Sequence, residues 1–192
     1  MKKHKDSQCR YYKKNGYYFI TVCTYAKYAY FDNDVLCELF VEEMNICKRL
    51  KSFDILGYKI NPDHVHLMLS TPGECNYSEI MRSLKTNFAR NANRIMGYNR
   101  ITMEPERESC MKARSRDLAF IDEHMDNVYT MHRTFIENHG NYHQIPKFKW
   151  QKSFHDHVIR VMNPHDYQNH IKYIRNQWLK HNLPENKWCR VR

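Results

Sequence analysis

The sequence is short of residues that break or tether a chain. Its 192 residues include only 5 glycines and 6 prolines, so no stretch has the composition of a long flexible linker. No apolar run approaches the roughly 20 residues that a membrane-crossing helix needs. The opening Met1-Lys2-Lys3-His4-Lys5-Asp6 leads into no signal-peptide core, and a soluble, unexported, cytoplasmic protein is the expectation. The cysteines, 7 in number, form no Cys-x-x-Cys pair, which argues against a disulfide framework and a zinc knuckle and leaves them as small core residues. Acidic residues are in deficit, 21 against 31 Lys and Arg, for a formal net charge of +10. That field attracts polyanions but does not separate DNA from RNA, and scattered surface charge would give the same sum. Repeats, coiled-coil heptads and low-complexity tracts are also missing.

What is present is apolar and aromatic. Hydrophobic residues make up 42% and aromatics 14%, which excludes a disordered chain and supplies one domain with a real core. Tyr17 to Tyr25 reads as a strand dense in aromatic and β-branched residues. Asp34 is placed to cap a helix through about Leu50, in which Leu36, Leu39, Phe40, Met44 and Cys47 recur at helical spacing. Phe53 to Ile60 and His64 to Ser70 read as a hairpin about the turn Asn61-Pro62-Asp63. Ser78 to about Ile95 reads as a second amphipathic helix. From Gly97 to about Pro146 the pattern changes to a polar stretch and a long helix through Leu118, Ile121, Met125, Val128, His132 and Phe135, taken as an insertion. Phe148 to Val161 reads as a bent strand. Asn163-Pro164-His165-Asp166 opens a last helix running to about His181. Without the insertion this order predicts an α+β, ferredoxin-like antiparallel sheet with two helices packed on one face. The whole chain, 1–192, reads as one domain with a helical insertion at about 97–146.

The most informative residues are His64 and His66. Two apart on a strand, they project from one face while Val65, Leu67 and Leu69 bury on the other, and this makes half of a metal site. Tyr173 and Gln177 stand four apart in a helical pattern, one above the other. A hydroxyl nucleophile beside a divalent ion suits phosphoryl transfer. The bland readings stand beside these: a solvated histidine pair, a packing tyrosine among 14, a surface amide. His155-Asp156-His157 is a rival pair, ranked second because its strand lacks the same apolar alternation. Arg10, Lys13, Lys14, Arg82, Lys85, Arg90, Arg94, Arg160 and Arg175 are candidate phosphate contacts. Arg160 leads them because it ends the strand before the tyrosine helix.

Four separated motifs occur together: Arg10-Tyr11-Tyr12, Asn61-Pro62-Asp63-His64-Val65-His66-Leu67, Trp150-Gln151 with Phe154-His155-Asp156-His157-Val158-Ile159-Arg160, and Asp166-Tyr167 leading to Tyr173-Ile174. In this set the chain resembles the REP-associated tyrosine transposases, which belong to the single-tyrosine HUH nucleases and the IS200-like transposase superfamily. The resemblance implies a ferredoxin-like fold that binds Mg2+ or Mn2+ through His64 and His66, with Gln177 as third ligand and Tyr173 as nucleophile. It also implies cleavage and rejoining of single-stranded or hairpin DNA through a 5′-phosphotyrosine, in the bacterial cytoplasm or nucleoid, by a monomer or homodimer. Two other readings stay open: a catalytically inactive nucleic-acid-binding module on the same scaffold, and a nuclease using activated water.

Overall fold

A computed structural model describes residues 12, 15–99, 115–140, 145–160 and 163–192, without the side chains of 115–119 and 164. Arg10, Lys13 and Lys14 lie outside the described residues. The strands are β1 (Tyr17–Cys23), β2 (Asp54–Asn61), β3 (His64–Ser70), β4 (His155–Val158) and β5 (Cys189–Val191). They form one antiparallel sheet in the order β4-β1-β3-β2-β5. The first four positions are those of a ferredoxin-like sheet, and β5 extends its β2 edge. The sequence pattern had not marked β5. Gly57 sits at a bulge in β2, where a Cβ would come within 3.1 Å of the Arg190 carbonyl oxygen, so its lack of a side chain lets β5 approach.

Alternation along β1 and β3 divides the residues between the two faces. Tyr18, Ile20, Val22, Val65, Leu67 and Leu69 bury on one face beneath α1 (Asp34–Lys51) and α2 (Tyr77–Ile95). The cap of α1 is Asn33 rather than the expected Asp34. Asn33 Oδ1 accepts from the Val35 and Leu36 amides, while Asp34 accepts from Lys187 Nζ and Trp188 Nε1 near the C-terminus. A capping box between Asn76 and Glu79 starts α2. The segment between α2 and β4 contributes α3 (Ser115–His139), whose Val128 and Phe135 join the same core. No helix among the described residues is long and apolar enough to cross a membrane.

The expected bent strand from Phe148 to Val161 contracts to β4 and a single bridge between Thr24 and Trp150. The reason is local. The Asn93 amide brackets the Phe148 backbone, accepting from its N–H at 2.8 Å and donating to its carbonyl at 3.1 Å, and the Phe148 and Trp150 rings enter the aromatic core around Phe88. A side-chain amide there takes the hydrogen bonds a neighbouring strand would have supplied.

The opposite face of the sheet carries Met68 and is covered by α4 (Pro164–Arg175). Ile171 and Ile174 of α4 bury against Met68 and Ile159. The expected single helix to His181 breaks at Asn176, and a short α5 (Gln177–Lys180) follows. Residues Tyr173 and Gln177 therefore do not lie on one continuous helix face.

Candidate active site

The histidine pair stands on the α4-covered face, as the alternation required, because Val65 occupies the opposite face between them. His66 is paired across the sheet with Thr21 of β1 and Lys59 of β2, and His64 with Cys23 and Asn61. Its central position buries His66 to 3% exposure. The two Nε2 atoms are 3.2 Å apart.

Each ring is held by its other nitrogen. Asp63 Oδ1 accepts from His64 Nδ1 at 2.6 Å, which leaves the lone pair of a neutral ring on Nε2. His66 Nδ1 lies 2.9 Å from Thr21 Oγ1. Burial first, and the neighbouring His64 charge second, push the His66 imidazole down to about 3, against the upward pull of its bond to Gln177. The ring is consequently neutral over the ordinary pH range. Carboxylate or hydroxyl support behind a ring nitrogen is the usual arrangement for a metal-binding imidazole.

The helix break supplies the next donor. The turn at Asn176 rotates Gln177 inward until it is 1% exposed, and its Oε1 lies 3.1 Å from His66 Nε2. The surface-amide reading of Gln177 is thereby excluded. His181, one turn further on, places Nε2 at 3.2 Å from the same Oε1, and its ring centroid is 5.0 Å from that of His64. Asn61 Nδ2 reaches His64 Nε2 at 3.0 Å, and Asn61 Oδ1 is buried without a hydrogen-bond partner. Two imidazole nitrogens and an amide oxygen, neighbours at 3.2 and 3.1 Å, with an orphaned buried oxygen nearby, make a donor set that fits a divalent cation.

Tyr173 reaches the site within the same chain. Its ring centroid is 5.1 Å from that of His66 and 5.7 Å from that of Phe19, both edge-on, while the side chain remains 38% exposed. Ile174 points into the sheet and anchors the helix turn that presents Tyr173. Lys180 Nζ donates to the Tyr173 hydroxyl at 3.2 Å.

The remaining candidates separate. Arg160 is exposed at the end of β4, where its backbone N–H donates to Asp166 Oδ2 at 2.9 Å at the start of α4. Arg82 and Lys85 lie on α2, across the sheet from the histidine pair, and Lys85 Nζ donates to the Gln151 carbonyl. Arg94 is buried and donates to Asn91 Oδ1, which removes it from the phosphate contacts. The rival pair splits: His157, without His155, forms a second cluster with Asp166 and His170. The residues not anticipated as parts of the site are Thr21, His181 and Lys180, with Asn61 and Asp63 noted only as parts of a motif. Asp63 adjoins His64 in sequence and His181 follows Gln177 by four. Thr21 and Asn61 depend on strand register, which no local pattern reveals.

Comparison with known proteins gives a family match over part of the chain and a shared fold. The sequence model "Transposase IS200 like" matches residues 12–104, the segment from β1 through α2 that contains His64 and His66. A solved REP-associated tyrosine transposase bound to a REP hairpin shares the fold with a TM-score of 0.56 and 19% identity, over 93% of this chain and 75% of that one. A putative transposase from Deinococcus radiodurans R1 aligns with a TM-score of 0.43 and 13% identity, over 89% of this chain and 97% of that one. None of the curated proteins matches. Over residues 12–104 the sequence is thus similar to the IS200-like transposases, and 93% of the chain shares its fold with a solved REP-associated tyrosine transposase.

Proposed function

We propose that this protein is a metal-dependent, single-tyrosine DNA transposase that cleaves and rejoins hairpin-bearing single strands through a 5′-phosphotyrosine. The observation that carries the reading is the convergence in one chain of Tyr173 on His66, and of His64, His66 and Gln177 on one another. His64 Nε2, His66 Nε2 and Gln177 Oε1 would hold Mg2+ or Mn2+, which supplies polarisation of the scissile phosphodiester and neutralisation of charge on its oxygens. Tyr173 is the nucleophile: its phenolic oxygen bonds to phosphorus, the bond to the 3′ oxygen breaks, and the strand leaves as a 3′-OH. The energy of the broken ester is conserved in the phosphotyrosine, so the reverse attack by another 3′-OH rejoins strands without a nucleotide cofactor.

Asp63 and Thr21 keep the imidazoles in register, and Ile171 and Ile174 seat the tyrosine helix on the sheet. Exposure of Tyr173 on one side leaves an approach for a nucleic-acid strand. Arg160, exposed beside the start of the same helix, and Arg10, Lys13 and Lys14, which precede β1 in the sequence, are the proposed backbone contacts. The net charge of +10 suits a polyphosphate partner. The structural neighbour bound to a REP hairpin makes hairpin DNA the first substrate to try.

The test is incubation with end-labelled single-stranded hairpin DNA and Mn2+ followed by denaturing electrophoresis. A covalent protein–DNA band is expected, and Tyr173→Phe should abolish it while leaving the thermal midpoint within a few degrees. Cutting that survives Tyr173→Phe would assign the chemistry to activated water; binding without cutting would make the protein a binding module.

A further inference from the structure

Lys180 lies on α5, immediately beyond the helix break, and its Nζ donates to the Tyr173 hydroxyl at 3.2 Å while standing 5.2 Å from the centre of the same ring. On an unbroken helix, residues seven apart are separated by about 10 Å along the axis. Here the helix breaks at Asn176 and restarts at Gln177. Beyond the break Gln177 meets His66 and Lys180 meets the phenol oxygen.

We propose that Lys180 is a catalytic residue, the cation that stabilises negative charge on the Tyr173 oxygen as it attacks and as it leaves. The inference rests on Tyr173 being the nucleophile. In the forward step the phenol loses its proton to solvent on its exposed side, the oxygen bonds to phosphorus, and the 3′ oxygen departs and is protonated. In the reverse step the phenol oxygen leaves with the bonding electron pair. A lysine ammonium at hydrogen-bond distance stabilises that oxygen most when its charge is greatest, which is the condition for accelerating the chemistry rather than merely binding substrate. Lys180 is close enough to the donor set for its charge to act on His66 as well, but its hydrogen bond is to the Tyr173 oxygen.

The assignment is tested by single-turnover adduct formation at saturating hairpin DNA with Mn2+, comparing the parent chain with Lys180→Met and Lys180→Arg, alongside DNA affinity measured by fluorescence anisotropy. Lys180→Met is expected to slow adduct formation about 100-fold, with DNA affinity within about 3-fold of the parent; Lys180→Arg should restore most of the rate. Weakened affinity with an unchanged rate at saturation would make Lys180 a backbone contact and overturn the proposal, as would a Lys180→Met variant as fast as the parent. Absence of any adduct in the parent chain would instead bring down the nucleophile role of Tyr173, and Lys180's role with it.

Discussion

An imidazole binds a cation only through a nitrogen that keeps its lone pair, and the residue before His64 arranges this. Asp63 accepts from His64 Nδ1 at 2.6 Å, so the lone pair is left on Nε2, which lies 3.2 Å from His66 Nε2. Replacing Asp63 by alanine leaves β3 intact but frees the ring to rotate and exchange tautomers. Mn2+ affinity, measured by calorimetric titration, is expected to fall about 10- to 100-fold, with the circular dichroism spectrum unchanged. Unaltered affinity would mean that the carboxylate does not orient the ring. At this scale the sequence was informative: Asn61-Pro62-Asp63 as a turn and His-x-His on a strand both follow from residue type and spacing. The depth of His66 was not legible, because burial depends on α4 and α5 closing over a face that local alternation marks only as the non-core side.

The tyrosine helix shows what a whole element adds. Asn163 caps it by accepting from His165 N–H at 3.1 Å, and Ile171 and Ile174 set its rotation by burying against Met68 and Ile159. Tyr173, between them in sequence, is left at the edge of the contact. Ile174→Ala removes the fully buried anchor and is expected to cost about 2 to 5 kcal/mol, lowering the urea midpoint. Adduct formation should fall further than the loss of folded protein explains, since the helix that presents Tyr173 becomes loosely seated. A full rate in the remaining folded fraction would show that the small satellite core does not position Tyr173. The start of this helix could be read from Asn163-Pro164, whereas its break at Asn176 could not. No glycine or proline marks the site, and the break is stabilised by tertiary contacts of Gln177 beneath it.

Across the molecule, α3 is tied to the sandwich by a buried polar cluster as well as by Val128 and Phe135. His124 Nδ1 lies 2.8 Å from Glu42 Oε1 and its Nε2 3.1 Å from Glu43 Oε1, with Asn91 and Arg94 completing the group. Burial pulls this imidazole down, but the hydrogen bonds and charges of Glu42 and Glu43 outweigh it and raise it to about 9. The folded chain therefore keeps a proton that the unfolded chain releases near 6.5. The resulting stabilisation is complete below that pH, declines as the pH rises, and is gone above about 9; its size is at most about 3 kcal/mol. Urea unfolding across this window should show the decline in the parent and a flatter profile in His124→Gln, whose absolute stability is lower because two carboxylates lose their cation. Equal slopes would remove His124 as the cause. The sequence placed His132 rather than His124 on the buried stripe of this helix, since a hydrophobic pattern does not reveal a buried residue that is charged.

Taken alone, the sequence determined the element types, the antiparallel α+β class and which strand carries the histidines, because these depend on side-chain alternation, helical spacing and caps within a few residues. It also held four motifs whose order pointed to the transposases. The tertiary structure decided which groups meet: that Gln177 turns inward, that Thr21 and Asn61 support the ring pair, and that Lys180 comes to lie on Tyr173. Those contacts join positions up to 111 residues apart along the chain, from His66 to Gln177, and depend on strand register and a mid-helix break, which are set by the packing of the whole sheet rather than by any local run of residues.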